Sequence, residues 1–393
     1  MNHPRRRSDD RAGVYIHVPF CARLCPYCDF AVTIKTAIPH EEYARALLEE
    51  FQARRYELEG RDVRTIYVGG GTPSLWDLNE LRRVLDAVRD AYAVSDEAEI
   101  TLEANPNQVT AGNLRGWTEA GINRLSIGCQ SFQARILTAL RRNHGPETAL
   151  DAVKAAIDYM PEVSLDLIFG GPEQIMDEWE RDLDVVSTLD GLAHLSAYHL
   201  TIEPGTAFFM RHRRGTLVVA DDELATDMME RLIDRTNELG FERYEVSNFA
   251  RGGARSRHNT NYWTGGEYLG LGVGAHGLGI DDDEGVVRRA NPRKFDEYMN
   301  DPCTPALIED LDARTHLAER LYLSMRTLEG VYWAELVHQF DPSLLRDARA
   351  VLDALVERGM AETDDELSWY GPTGRGLFVA DAVAEFVFEK ILP

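Results

Sequence analysis

An α/β fold with a parallel sheet, followed by a small, mostly helical domain, is the architecture the sequence predicts. Short apolar runs alternate with longer amphipathic stretches over the first two thirds of the chain, unusual polar residues cluster at the ends of those runs, and from about Asp310 the pattern turns helical. Strands that alternate with helices of ten or so residues form βαβ units, whose strands lie parallel because each helix crosses back over the sheet.

The first strand is expected at 14–18, an apolar, β-branched run leading straight into three cysteines. Later strands are expected at 65–68, 100–103, 124–127, 163–169 and 194–201, with helices at 41–51, 78–91, 134–140, 176–189 and 222–239 between or after them. Six such units suit a barrel or partial barrel, where functional groups gather at the C-terminal strand ends. The segment 281–289, acidic and then basic, reads as a surface turn. Helices at 313–326, 333–340 and 344–358, a polar strand-turn near Ser368 and a closing helix from Gly374 give the last part a winged-helix-like pattern. The expected division is a flexible tail over 1–12, a barrel domain over 13–300 and a helical C-terminal domain over 301–393.

The 393 residues carry a net charge of −24, so the surface as a whole repels nucleic acid, and none is expected as a partner. No apolar run approaches the ~18 residues needed to span a bilayer. The N-terminus has charge but no apolar core behind it, unlike a secretory signal. Five cysteines do not make a disulfide framework, and a cytoplasmic location is expected.

Three of those cysteines, Cys21, Cys25 and Cys28, are spaced C-x3-C-x2-C. With so few cysteines, such a pattern arises by chance roughly once in a thousand chains of this length. Three thiolates from one loop suit a cubane iron–sulfur cluster and leave its fourth iron open to a small molecule. Zinc or plain burial is the alternative, but zinc usually takes four ligands and no second C-x2-C knuckle is present. Cys129 and Cys303 read as buried apolar residues.

Polar residues follow strand by strand. Gly69-Gly70-Gly71-Thr72-Pro73 ends the second strand, and consecutive glycines let backbone approach a ligand closely. Glu103 ends the third, either accepting hydrogen bonds from an amine or diol or serving a helix entry beside Asn105 and Asn107. Gln130 ends the fourth, and Arg142 follows one helix later. Asp166 lies inside an apolar strand, where a carboxylate is costly unless paired.

The cysteine loop resembles that of the radical S-adenosylmethionine (SAM) superfamily. Members bind a 4Fe–4S cluster, chelate SAM at the open iron and release a 5′-deoxyadenosyl radical. From Tyr15 to the closing helix the chain resembles the oxygen-independent coproporphyrinogen III oxidase family, and within it the HemW subfamily of haem chaperones. The resemblance implies a partial (β/α)6 barrel. It also implies SAM contacts at Tyr15, Tyr27, Gly70, Gly71, Thr72, Glu103, Gln130, Arg142 and Asp166, some of which serve a second SAM in the oxidases.

Two departures count against the oxidase. The oxidases carry a fourth cysteine where this chain has Phe30, and an N-terminal extension ahead of the first cluster cysteine, which here is residue 21. A further motif, His258-Asn259-x-x-Tyr262-Trp263, matches a signature associated with haem in HemW proteins. Imidazole is a common axial ligand of haem iron, and aromatic rings can stack on a porphyrin. A satisfied polar turn with Trp263 in the core is the structural alternative, and His17, His199 and His276 are competing ligands.

The resemblance therefore implies a haem chaperone that carries a 4Fe–4S cluster and exchangeable SAM. It would pass haem to acceptor haemoproteins such as respiratory enzymes, with peripheral membrane contact and a homodimer as further expectations. A radical SAM oxidase or another radical tetrapyrrole enzyme is the alternative, and no catalytic residue is assigned.

Overall fold

The computed structural model describes residues 11–280 and 285–392. Six parallel strands form its centre and follow one another across the sheet in chain order: β1 (Arg11–Val18), β2 (Asp62–Gly70), β3 (Ala93–Ala104), β4 (Arg124–Gln130), β5 (Glu162–Phe169) and β6 (His194–His199). Each expected strand falls within one of these, that of β3 covering only 100–103, except that 194–201 overruns β6 by two residues. Beyond β6, β7 (Glu242–Arg243) and β8 (Asn248–Ala250) complete one edge, β8 running antiparallel to β6. On the other side β9 (Glu267–Leu271) adds parallel to β1, and β10 (His276–Ile280), β11 (Val286–Ala290) and β12 (Leu307–Leu311) extend the sheet antiparallel. The twelve-stranded order is β12-β11-β10-β9-β1-β2-β3-β4-β5-β6-β8-β7, and among the described residues its ends do not pair to close a barrel.

Alternation along the strands separates the two faces. In β1, Val14, Ile16 and Val18 are fully buried in the apolar core, while Tyr15 and His17 between them take the other face. Each fully buried Val or Ile contributes roughly 1.5–3 kcal/mol through the area it removes from water. The helices His40–Arg54, Leu78–Ala91 and Met176–Ser187 supply buried partners such as Leu47, Leu85 and Trp179 to the same core. The helices Ala111–Glu119 and Pro146–Ile157 escaped the sequence reading. The first contains two glycines, and the second buries mostly alanine, so neither shows a strong apolar stripe.

The C-terminal part has its own core, built from Leu317, Leu321, Leu336, Leu352, Tyr370 and Val387 among others. Its helices Ala313–Ser324, Trp333–Gln339, Pro342–Glu357, Gly374–Phe378 and Ala380–Ile391 surround a three-stranded antiparallel sheet. The strands are β13 (Val331–Tyr332), β14 (Ala361–Thr363) and β15 (Trp369–Pro372), ordered β13-β15-β14. This is the winged-helix-like pattern expected, but β12 carries the large sheet past the expected boundary at residue 301. Directly after β12 the Asp312 side chain caps the helix Ala313–Ser324. Of the expected tail, residues 1–10 lie outside the described residues, and Arg11 and Ala12 open β1. Of the expected surface turn, 281–284 lie outside the described residues, and 286–289 belong to β11.

Candidate functional site

Cys21, Cys25 and Cys28 sit on a loop directly after β1, all free and partly exposed. The loop is held by backbone bonds from Cys21 N to Thr33 O (3.0 Å) and Thr33 N to Pro19 O (2.7 Å), and by buried Phe20, edge-on to Tyr43. It packs against the glycines that end β2. A Cβ on Gly71 would lie 2.8 Å from the carbonyl oxygens of both Pro19 and Phe20, and one on Gly70 (φ +117°) would meet the His17 ring at 2.6 Å. The chain's own packing therefore requires both glycines, whatever ligand they also admit.

The three thiols open onto a cavity of about 410 Å³ whose lining includes Tyr27, Gly70, Gly71, Thr72, Glu103, Gln130, Arg142 and Asp166. Tyr27 comes from the cysteine loop after β1, and the other residues from β2 to β5 and the loops after them. Tyr15 is the one expected SAM residue outside the lining; its hydroxyl bonds His17 Nδ1 at 2.9 Å. Gln130 has φ +73°, and the pairing of β4 with β5 slips one residue between Gly128 and Gln130. Such a bulge re-aims a side chain, here into the cavity.

Donors surround the thiols. Thr72 Oγ1 lies 3.7 Å from Cys21 Sγ, and Arg142 Nη1 lies 3.7 Å from Cys25 Sγ while its Nη2 donates to Gly128 O at 2.7 Å. Burial pushes the Cys21 thiol up to about 11 and raises that of Cys28. Metal coordination reverses that cost, because a cation deprotonates its thiol ligands outright. Among the described residues no three His, Cys, Asp or Glu side chains converge on a single-ion position. A cubane, which binds each thiolate at a different iron, spreads its ligands wider than one zinc ion does. The donor set fits a 4Fe–4S cluster held by Cys21, Cys25 and Cys28.

Deeper in, Glu103 accepts from the Tyr67 hydroxyl (2.8 Å) and from Gly70 N (2.9 Å), and burial pushes its carboxyl up to about 7. Asp166 accepts from Ser126 Oγ (3.0 Å) and Ser164 Oγ (3.3 Å), and burial raises it too. Tyr67, Ser126, Ser164, His194, Ser196 and Tyr198 also line the cavity, and the sequence reading passed over them. The signal was present: in β4 and β6, and in β5 as far as Asp166, every second residue is polar or glycine, marking the inward face.

The His-Asn-x-x-Tyr-Trp motif lies elsewhere. It forms the short helix Arg257–Trp263, which leads toward β9 and packs against β1, β2 and β3 through residues such as Thr65 and Glu99. His258 is fully buried; Nδ1 bonds Thr65 Oγ1 (2.7 Å), Nε2 bonds Tyr262 OH (2.6 Å), and the ring stacks on Tyr67 and Tyr15. Burial takes its pKa down to about 3, so it is neutral with both nitrogens engaged. In this arrangement His258 has no nitrogen to offer iron. Tyr262 is spent on His258, Trp263 lies beneath the Arg326 guanidinium, and of the four motif residues only Asn259 reaches the cavity. Glu99 fixes the helix by accepting from the backbone N–H of both Arg257 (2.8 Å) and His258 (3.0 Å).

Of the competing histidines, His17 is held by Tyr15 and Ala31 O, His276 is exposed on β10 outside the lining, and His199 lines the cavity. Cys129 is buried as expected, whereas Cys303 is only half-buried.

Residues 15–186 match the radical SAM superfamily. The chain is 40% identical over 289 residues to "Heme chaperone HemW" of Escherichia coli (strain K12), covering 73% of this chain and 75% of that protein. It is 36% identical over 386 residues to "Heme chaperone HemW" of Mycobacterium tuberculosis (strain H37Rv), covering 94% and 93%. It is also 40% identical over 383 residues to "Radical S-adenosyl methionine domain-containing protein 1, mitochondrial" of Bos taurus, covering 92% and 85%. The solved coproporphyrinogen III oxidase (HemN) from Escherichia coli, a radical SAM enzyme, superposes with a TM-score of 0.80 at 19% identity, over 97% of this chain and 91% of that one, and so shares the fold.

Proposed function

The chain belongs to the HemW family of the radical SAM superfamily, and we propose from that premise that it is a haem chaperone, binding haem and passing it to acceptor haemoproteins. Near-full-length similarity to proteins named as haem chaperones is the observation that carries this reading. Phe30 supports it against the oxidase: where the oxidases carry a fourth cysteine, this chain places an exposed aromatic ring at the cavity rim.

Cys21, Cys25 and Cys28 would hold the 4Fe–4S cluster, and the rest of the lining would receive SAM. The cluster supplies an open iron site and a one-electron couple. Arg142 and Thr72 donate to the sulfurs, which favours the more negative, reduced charge state. Glu103, poised near neutrality, would hold an ammonium group and shed its proton as it does so. Transfer to respiratory haemoproteins, a cytoplasmic location and a homodimer belong to the same reading.

The test uses anaerobically reconstituted protein. One arm titrates haem and follows the Soret band; the other supplies coproporphyrinogen III, SAM and a reductant and follows the decarboxylated product. Stoichiometric haem binding without product supports the chaperone. Product formation would replace this reading with the oxidase.

A further inference from the structure

His199 ends β6 at the rim of the cavity that the cysteines share, with its ring against Phe169 at 5.5 Å. Among the described residues no hydrogen bond reaches either of its ring nitrogens, whereas His194, the other histidine in the lining, is bonded through both, to Ser164 (2.7 Å) and Tyr244 (2.8 Å). Gly170 leaves room at the ring edge: a Cβ there would stand 2.9 Å from Nε2.

The surroundings are unusual for a solvent-facing rim. Leu24 and Phe30, on the cysteine loop, are 53% and 59% exposed, and Tyr198, next to His199, is 42% exposed; all three line the cavity. Grouped exposed apolar side chains mark a contact surface. Arg23 and Arg141 are exposed in the same lining and make no ion pair among the described residues, in a chain of net charge −24. An apolar rim with unpaired guanidinium groups and a free imidazole matches one ligand chemistry, a flat apolar macrocycle bearing carboxylates and a metal that accepts nitrogen.

We propose that a metalloporphyrin docks over the cavity mouth with its iron on His199, its ring against Leu24, Phe30 and Tyr198, and its propionates facing Arg23 and Arg141. This deepens the haem-chaperone reading and moves the axial ligand from the sequence motif to the end of β6.

Haem titration of anaerobically reconstituted wild type, His199→Ala, His258→Ala and Arg23→Ala/Arg141→Ala tests it, with cluster absorbance confirming folded protein. His199→Ala loses the histidine-ligated Soret shift and weakens haem binding by roughly tenfold or more. Metal-free protoporphyrin, which needs no axial ligand, binds wild type and His199→Ala alike and weakens with the arginine pair removed. His258→Ala keeps the wild-type haem spectrum. An unchanged Soret band and affinity in His199→Ala overturns this assignment while leaving the chaperone reading intact; wild type that binds no haem overturns both.

Discussion

The Glu103 carboxylate and the Tyr67 hydroxyl meet at 2.8 Å in the cavity lining, on neighbouring strands β3 and β2, with Gly70 N–H on the second carboxylate oxygen. Burial outweighs these two donors and holds the acid near 7. A carboxyl whose folded pKa lies above its unfolded value binds its proton more tightly in the native state. The unliganded protein therefore loses stability as pH rises from about 4.5 to about 7. Glu103→Gln, which mimics the protonated acid, is expected to gain on the order of 1–3 kcal/mol over wild type above that window and nothing below it. Urea melts at either end of the window measure this; equal differences at both ends exclude it.

His258 gives the opposite slope. Its depressed pKa keeps it neutral in the native state, so stability is present above about 6.5 and is lost as pH falls toward 3. His258→Ala leaves Thr65 and Tyr262 without their partner and opens a void under Tyr67, with a cost of roughly 2–4 kcal/mol at neutral pH. Equilibrium unfolding reads the loss directly, and a neutral effect would remove the structural role given to the motif.

Arg142→Met deletes the cationic donor to Cys25 Sγ while leaving the three thiols in place. The cluster still assembles, with iron content unchanged, and its midpoint potential moves more negative, because the reduced state loses a stabilising charge. Redox titration by electron paramagnetic resonance checks the direction; a positive shift contradicts it.

Gly71→Ala drives a methyl against the Pro19 and Phe20 carbonyls, both backbone, so the cysteine loop must move. Iron incorporation is expected to fall well below the wild-type value. Gly112→Ala is the matched control: it lies in the first turn of the helix Ala111–Glu119 with nothing nearer than 3.9 Å, and is expected to stabilise by roughly 0.5–1 kcal/mol. Iron assays and melting temperatures on the pair separate loop displacement from a general dislike of alanine.

The parallel centre of the sheet was legible because β-branched runs and helical spacing are local signals, as in Val14, Ile16 and Val18. The cysteine trio was legible for the same reason. What lay beyond local pattern was the far side of β1, where β9 to β12 extend the sheet. It takes long-range pairing to bring Glu267–Leu271 beside Arg11–Val18, and no window of sequence contains both. His258 shows the same limit at the site. Its neighbours Asn259, Tyr262 and Trp263 suggest a ligand cluster, yet the partners that decide its role, Thr65, Tyr67 and Glu99, are far away in the chain. His199 had no motif around it, and only the fold set it beside the cysteines.

The three cysteines, Glu103, His199 and the exposed Leu24 and Phe30 line one shared cavity of about 410 Å³. A flat occupant lying across Leu24 and Phe30 would stand between solvent and any second guest nearer Glu103, so its departure would time the exchange of the other, with no hinge or moving segment required.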